Sequence, residues 1–119
     1  MPRVFVPNEP LRKNANTGEW ERYLPLDSLV KYGEVVELTP KGRARSFDES
    51  CAAIRKGLKE LWRDGDYLVL VGDYALVAFA GFALGEYAED GEKLRFLKWD
   101  RRKESYASLI VRDAPGESA

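Results

Sequence analysis

The chain has no histidine, one cysteine and one methionine in 119 residues. Without histidine, Ser-His-Asp and Cys-His nucleophile activation, histidine-ligated zinc and histidine-based pH switching are all excluded. A lone cysteine, Cys51, allows neither an internal disulfide nor a four-cysteine zinc site. No apolar core segment interrupts the opening MPRVFVPNEP to suggest a secretory signal, so a cytoplasmic location is expected. A dominant charge is also missing. Lys plus Arg number 19 against 20 Asp plus Glu, a net charge of −1. No global field therefore draws the molecule to nucleic acid or to an anionic membrane. Internal repeats and low-complexity tracts are absent.

What is present is an ordinary apolar content of 45%, enough for one core in one domain. The most informative stretch is 67–85, YLVLVGDYALVAFAGFALG, in which Asp73 is the only charged residue. It reads as a buried strand, a Gly72-Asp73 corner and a helix with almost no polar face. A helix apolar on all sides must be covered on more than one of them. The run approaches the length of a membrane span, but a carboxylate near mid-bilayer costs about 2.5–3.5 kcal/mol. No membrane association is expected.

Four of the six prolines fall in residues 1–25. Arg3 to Val6 is expected as a short edge strand ended by Pro7 and Pro10. An irregular arm should follow, packing Trp20, Tyr23 and Leu24 onto the body. Asp27 is placed as N-cap of a short helix over 28–32, closed by Gly33, and 34–38 as a strand. Ser46 with Glu49 forms a capping box, the best helix-start signal in the chain. Phe47, Cys51, Ile54, Leu58, Leu61 and Trp62 follow at spacings of three and four, predicting an amphipathic helix to about Arg63. Residues 67–71 read as a central strand, and 74–87 as a second helix capped by Asp73. Residues 94–99 and 106–111 read as an antiparallel hairpin around Arg101, Arg102 and Lys103.

Strands separated by helices of this length imply parallel pairing through right-handed crossovers. The expected fold is α/β: a small mixed sheet of four to five strands with βαβ crossovers and a C-terminal antiparallel hairpin. The single domain divides into an N-terminal arm (1–25), an α/β body (26–112) and a frayed tail (113–119).

Candidate sites are few. Gly72-Asp73 lies where a strand feeds a helix, the usual ligand position in open α/β sheets. Asp73 is nonetheless the residue type of an N-cap, and a carboxylate there would repel phosphate. Asp64, Asp66 and Asp73 fall at opposite ends of one strand, so no metal site is assigned and no cofactor is implied. Lys41, Arg43 and Arg45 precede a helix N-terminus, which favours anions. With Arg101, Arg102 and Lys103 they form the nucleic-acid candidate. Cys51 sits on an apolar stripe with no base to activate it, and is read as inert. In the second helix, Ala75, Ala78 and Gly81 are expected to approach the sheet, leaving Leu76, Phe79 and Phe82 on other faces. Those three, with Trp20 and Tyr23 of the arm, are the candidate interaction residues, for a homodimer or another protein.

The segments DYLVLVGDYAL (66–76) and LRFLKWDRRKESY (94–106) resemble small proteins of unknown function encoded in tailed-bacteriophage genomes. The shared features are an Arg-Val-Phe-Val-Pro start at residues 3–7, a Gly-Asp corner before an Ala-rich helix, and Leu-Lys-Trp-Asp-Arg at residues 97–101. The resemblance implies a phage-encoded cytoplasmic protein and brings no catalytic residues. The leading expectation is a non-enzymatic accessory protein that self-associates or binds another protein. A nucleic-acid-associated factor is the alternative, and a metal-dependent enzyme using carboxylates the third reading.

Overall fold

The computed structural model describes residues 2–39, 46–88 and 92–111. Among these residues seven strands and two α-helices are formed: β1 (Arg3–Val6), β2 (Leu11–Lys13), β3 (Trp20–Arg22), β4 (Glu34–Glu37), α1 (Phe47–Leu61), β5 (Tyr67–Val69), α2 (Tyr74–Tyr87), β6 (Leu94–Asp100) and β7 (Ser105–Val111). A 3-10 helix, Asp27–Lys31, precedes β4. Five strands make one mixed sheet in the order β4-β1-β5-β6-β7. The first four are parallel, and β7 returns antiparallel to β6. This is the expected α/β class, with the expected C-terminal hairpin.

Period-two alternation divides the strand residues between two cores. Phe5 and Leu68 face the helices, where they meet Ile54 and Leu58 of α1 and Leu76, Ala80, Ala83 and Leu84 of α2. Val4, Val6, Val69 and Leu97 face the other way, onto Leu26 and Leu29 of the 3-10 helix and its approach. Both α-helices therefore share one face of the sheet, and they pack against each other. The 3-10 segment closes the opposite face. Two tyrosines hold it there: Tyr106 donates its hydroxyl to the Pro25 carbonyl at 2.6 Å, and Tyr32 donates to the Tyr106 carbonyl at 3.0 Å.

The local signals explain most elements. Ser46 accepts from the Glu49 amide and the Glu49 carboxylate accepts from the Ser46 amide, the reciprocal box that starts α1. Asp73 accepts from the amides of Ala75 and Leu76 and starts α2. Three expectations are corrected. β1 is an inner strand between β4 and β5, with Val4, Phe5 and Val6 wholly buried. Pro7 and Pro10 follow the last laddered residue, so their missing N–H groups cost the sheet nothing. Where an irregular arm was expected, β2 and β3 form a small antiparallel sheet of their own. Asp27 is the first residue of the 3-10 helix rather than its cap; Leu26 takes that position, with no side-chain cap bond.

Asp66 fixes the amino-terminal edge of the sheet. It is buried, and its two carboxylate oxygens accept from the Arg3 and Arg63 amides, each at 2.9 Å. One side chain thereby joins the start of β1 to the turn between α1 and β5.

Candidate interaction surfaces

Ligands of open α/β sheets bind outside the carboxyl ends of strands, where neighbouring connections leave toward opposite faces. Here that point lies between β1, whose chain continues toward the 3-10 helix, and β5, whose chain continues into α2. Asn8 occupies the Gly72 corner of that crevice. Gly72 adopts φ +107°, and a Cβ placed on it would stand 2.5 Å from the Asn8 carbonyl oxygen. Asn8 Oδ1 also accepts from the Asp73 amide at 3.1 Å. Both oxygens of Asn8 are thus turned onto the corner that would otherwise cradle a ligand. The Asp73 carboxylate is engaged with its own helix. Asp66 and Asp73 bond to opposite ends of β1's neighbourhood, Arg3 and Asn8 respectively. Among the described residues no three side chains of metal-ligating type converge.

Cys51 is buried on the inner side of α1, where burial, with Asp48 nearby, pushes its thiol up from the ordinary value. A raised thiol is a poor nucleophile at neutral pH.

On α2 the inward set is Leu76, Ala80, Ala83 and Leu84, at spacings of four, three and one. Ala80 and Ala83 supply the close approach, while Ala75 and Ala78 are exposed. The expected phase of this helix is therefore corrected: Leu76 belongs to the core. Phe79 is half-buried beside α1, with the Arg55 guanidinium 5.2 Å from its ring centre. Arg55 also reaches Glu86 at 3.0 Å, so the α1-facing flank of α2 is held by charge as well as by packing. A hydrogen bond to the Tyr87 hydroxyl and the Glu86 carboxylate raise the Arg55 pKa further. Phe82 is 64% exposed and Tyr74 93% exposed, along the outer face.

Of the remaining candidates, Trp20 and Tyr23 do not join this surface. Trp20 (67% exposed) and Tyr23 (41% exposed) lie on and beside the β2-β3 hairpin. That hairpin is tied by Arg22 to Glu9 at 2.6 Å and to Glu37 of the β4 edge at 3.9 Å. The arm thus leaves Phe82 uncovered. Arg101, Arg102 and Lys103 are exposed in the β6-β7 turn, and Asp100 accepts from the amides of Arg102 and Lys103, fixing the turn backbone. Lys41, Arg43 and Arg45 lie outside the described residues, as does the tail expected at 113–119.

One surface escaped the sequence reading. Leu109, Ile110 and Val111 of β7 are 44%, 46% and 45% exposed on the outermost strand. The available signal was the run Ser105–Val111, SYASLIV, which has no charge and no proline. An edge strand of that composition is open to pairing with another chain.

A family model described as Phage Pam3 gp32-like protein matches residues 2–112, from the residue before β1 to the residue after β7. The chain belongs to the Phage Pam3 gp32-like protein family. The resemblance to a phage family of unknown function therefore holds, and it covers the small β2-β3 hairpin as well as both helices. Comparison with curated proteins and with solved structures returns no match. Among the described residues no helix is long and apolar enough to cross a membrane.

Proposed function

We propose that this member of the phage family acts by association rather than by chemistry, as an accessory protein that binds a second copy of itself or another protein in the host cytoplasm. The observation that supports this reading is the run of three consecutive apolar residues, Leu109 to Val111, left half-exposed on an edge strand whose outer side has no neighbour among the described residues. Single exposed apolar residues are normal on any surface, but a contiguous run on a free edge calls for a partner. Tyr74 and Phe82 add exposed apolar area on α2, and Asn8 occupies the Gly72 corner of the usual ligand position.

A second reading rests on Arg101, Arg102 and Lys103, three adjacent cations exposed on one tight turn. It makes the protein a binder of nucleic-acid backbone. The two readings separate by solution mass and salt. Light scattering across a wide concentration range should give a mass above one chain, or co-expression with other proteins of its phage should give a defined complex. A chain that stays single, joins no such complex and binds DNA or RNA with a steep salt dependence would overturn the association reading. Charge reversal at Arg101, Arg102 and Lys103 should then abolish that binding.

A further inference from the structure

We propose that the partner at the β7 edge is a second copy of the same chain, added antiparallel across a two-fold axis at Leu109, so that two five-stranded sheets become one. This rests on the association reading above and specifies its surface.

The register follows from which backbone groups are free. Leu70 donates its amide to the Leu97 carbonyl at 2.9 Å, so Leu97 directs its backbone groups toward β5. The flanking residues Phe96 and Lys98 direct theirs toward β7, where their partners are Leu109 and Ala107. Ser108 and Ile110, between and beyond those partners, therefore direct N–H and C=O outward. Tyr106 does the same, but its carbonyl already accepts the Tyr32 hydroxyl, and the 3-10 segment crowds that end of the strand. Among the described residues the open part of the edge runs from Ala107 to Val111, all of it exposed.

A two-fold axis normal to the sheet keeps every side chain on its own face. Centring it on the open segment sets Leu109 opposite Leu109 of the second copy, Ser108 opposite Ile110, and Ala107 opposite Val111. Ser108 and Ile110 then exchange their free amides and carbonyls with the second copy, two pairs by symmetry. On the helix side two leucines meet at the axis, with each valine against an alanine. On the other side each isoleucine meets a serine. No charged residue stands between Ser105 and Val111, so like charges are not brought together. The opposite edge strand, β4, begins and ends in glutamate and is flanked by Arg22 of the hairpin, devices that protect an edge from such pairing. Closed two-fold symmetry is by far the commonest arrangement of homo-oligomers. The contact is small beside a standard interface of about 1,600 Å², so reversible dimerisation in the micromolar range is expected.

Leu109 faces itself in a non-hydrogen-bonded pair, where Cα atoms lie about 4.5 Å apart, within the range a disulfide spans. The test is oxidative cross-linking of Leu109→Cys in a Cys51→Ala background, beside Trp20→Cys in the same background, with light scattering of Leu109→Lys. Leu109→Cys should form a covalent dimer at least tenfold faster than Trp20→Cys. Leu109→Lys should stay folded by circular dichroism and weaken self-association at least tenfold. Should Leu109→Lys not fold, the cross-linking rates decide alone. Equal cross-linking at the two positions overturns the proposal. If the native chain nevertheless self-associates, and Leu109→Lys does so equally, the β7 assignment fails while the association reading stands. A native chain that is single at every concentration overturns the self-pairing, and the association reading then depends on another protein.

Discussion

Replacing Asp66 tests whether one carboxylate ties the start of β1 to the turn before β5. The side chain is 4% exposed and satisfies two backbone donors, the amides of Arg3 and Arg63, each at 2.9 Å. Asp66→Ala leaves both donors without that acceptor. A buried donor stripped of its partner costs about 1–3 kcal/mol; both bonds here are part-buried, so a loss of about 1–3 kcal/mol for the pair is expected. Against a total stability of about 5–15 kcal/mol for a domain of ordinary size, that is a large fraction. Asp66→Asn keeps one carbonyl oxygen but turns an amide NH₂ toward the second donor, so it should cost about half as much. Asp64 supplies the control. It lies two residues away, is exposed, and pairs with Arg95 only at 3.8 Å. Asp64→Ala should stay within about 0.5 kcal/mol of the native chain. The assay is urea unfolding followed by tryptophan fluorescence and far-UV circular dichroism, with the slope checked for constancy. Amide exchange at both Arg3 and Arg63 should accelerate in Asp66→Ala and be unchanged in Asp64→Ala. A loss below about 1 kcal/mol, or an Asp66→Ala result equal to Asp64→Ala, would refute the clamp, since even one orphaned donor costs that much.

Two further predictions follow from the other edge of the sheet and its far face. Gly72→Ala forces a side chain into φ +107° and against the Asn8 backbone, so it should cost about 3 kcal/mol or more, read as a fall of roughly 10 °C in melting temperature. Burial pushes the Tyr106 phenol up to about 12, against about 10 in an unfolded chain. The folded protein holds this proton where the unfolded chain has lost it, so stability is intact below about pH 10 and declines as pH rises toward 12. Tyr106→Phe should flatten that alkaline decline in the urea midpoint. At neutral pH it should cost about 1 kcal/mol, because the Pro25 carbonyl loses its donor. An unchanged alkaline profile would show that Tyr106 is not the group responsible.

Local chemistry determined the elements before any tertiary contact was known. The Ser46-Glu49 box, the Asp73 cap, the uncharged run of β5 and the alternation around the β6-β7 turn each act over a few residues. They yielded two helices, the hairpin and the α/β class. Composition removed histidine and disulfide chemistry from consideration, and the residues at the Gly-Asp corner, with those at 3–7 and 97–101, pointed to a phage family. Tertiary structure decided the rest. β1 became an inner strand because Val4, Phe5 and Val6 bury on both faces, a gain larger than the proline signal suggests and one that arises only when β4 and β5 arrive from distant sequence. The phase of α2 was undetermined by its own residues, since a helix apolar on every side has no preferred face. Packing against α1 and the sheet selected Leu76, Ala80, Ala83 and Leu84. The free edge at β7 is likewise a property of strand order. The run SYASLIV shows that a strand can form there, but only the arrangement β4-β1-β5-β6-β7 leaves its outer side without a neighbour among the described residues.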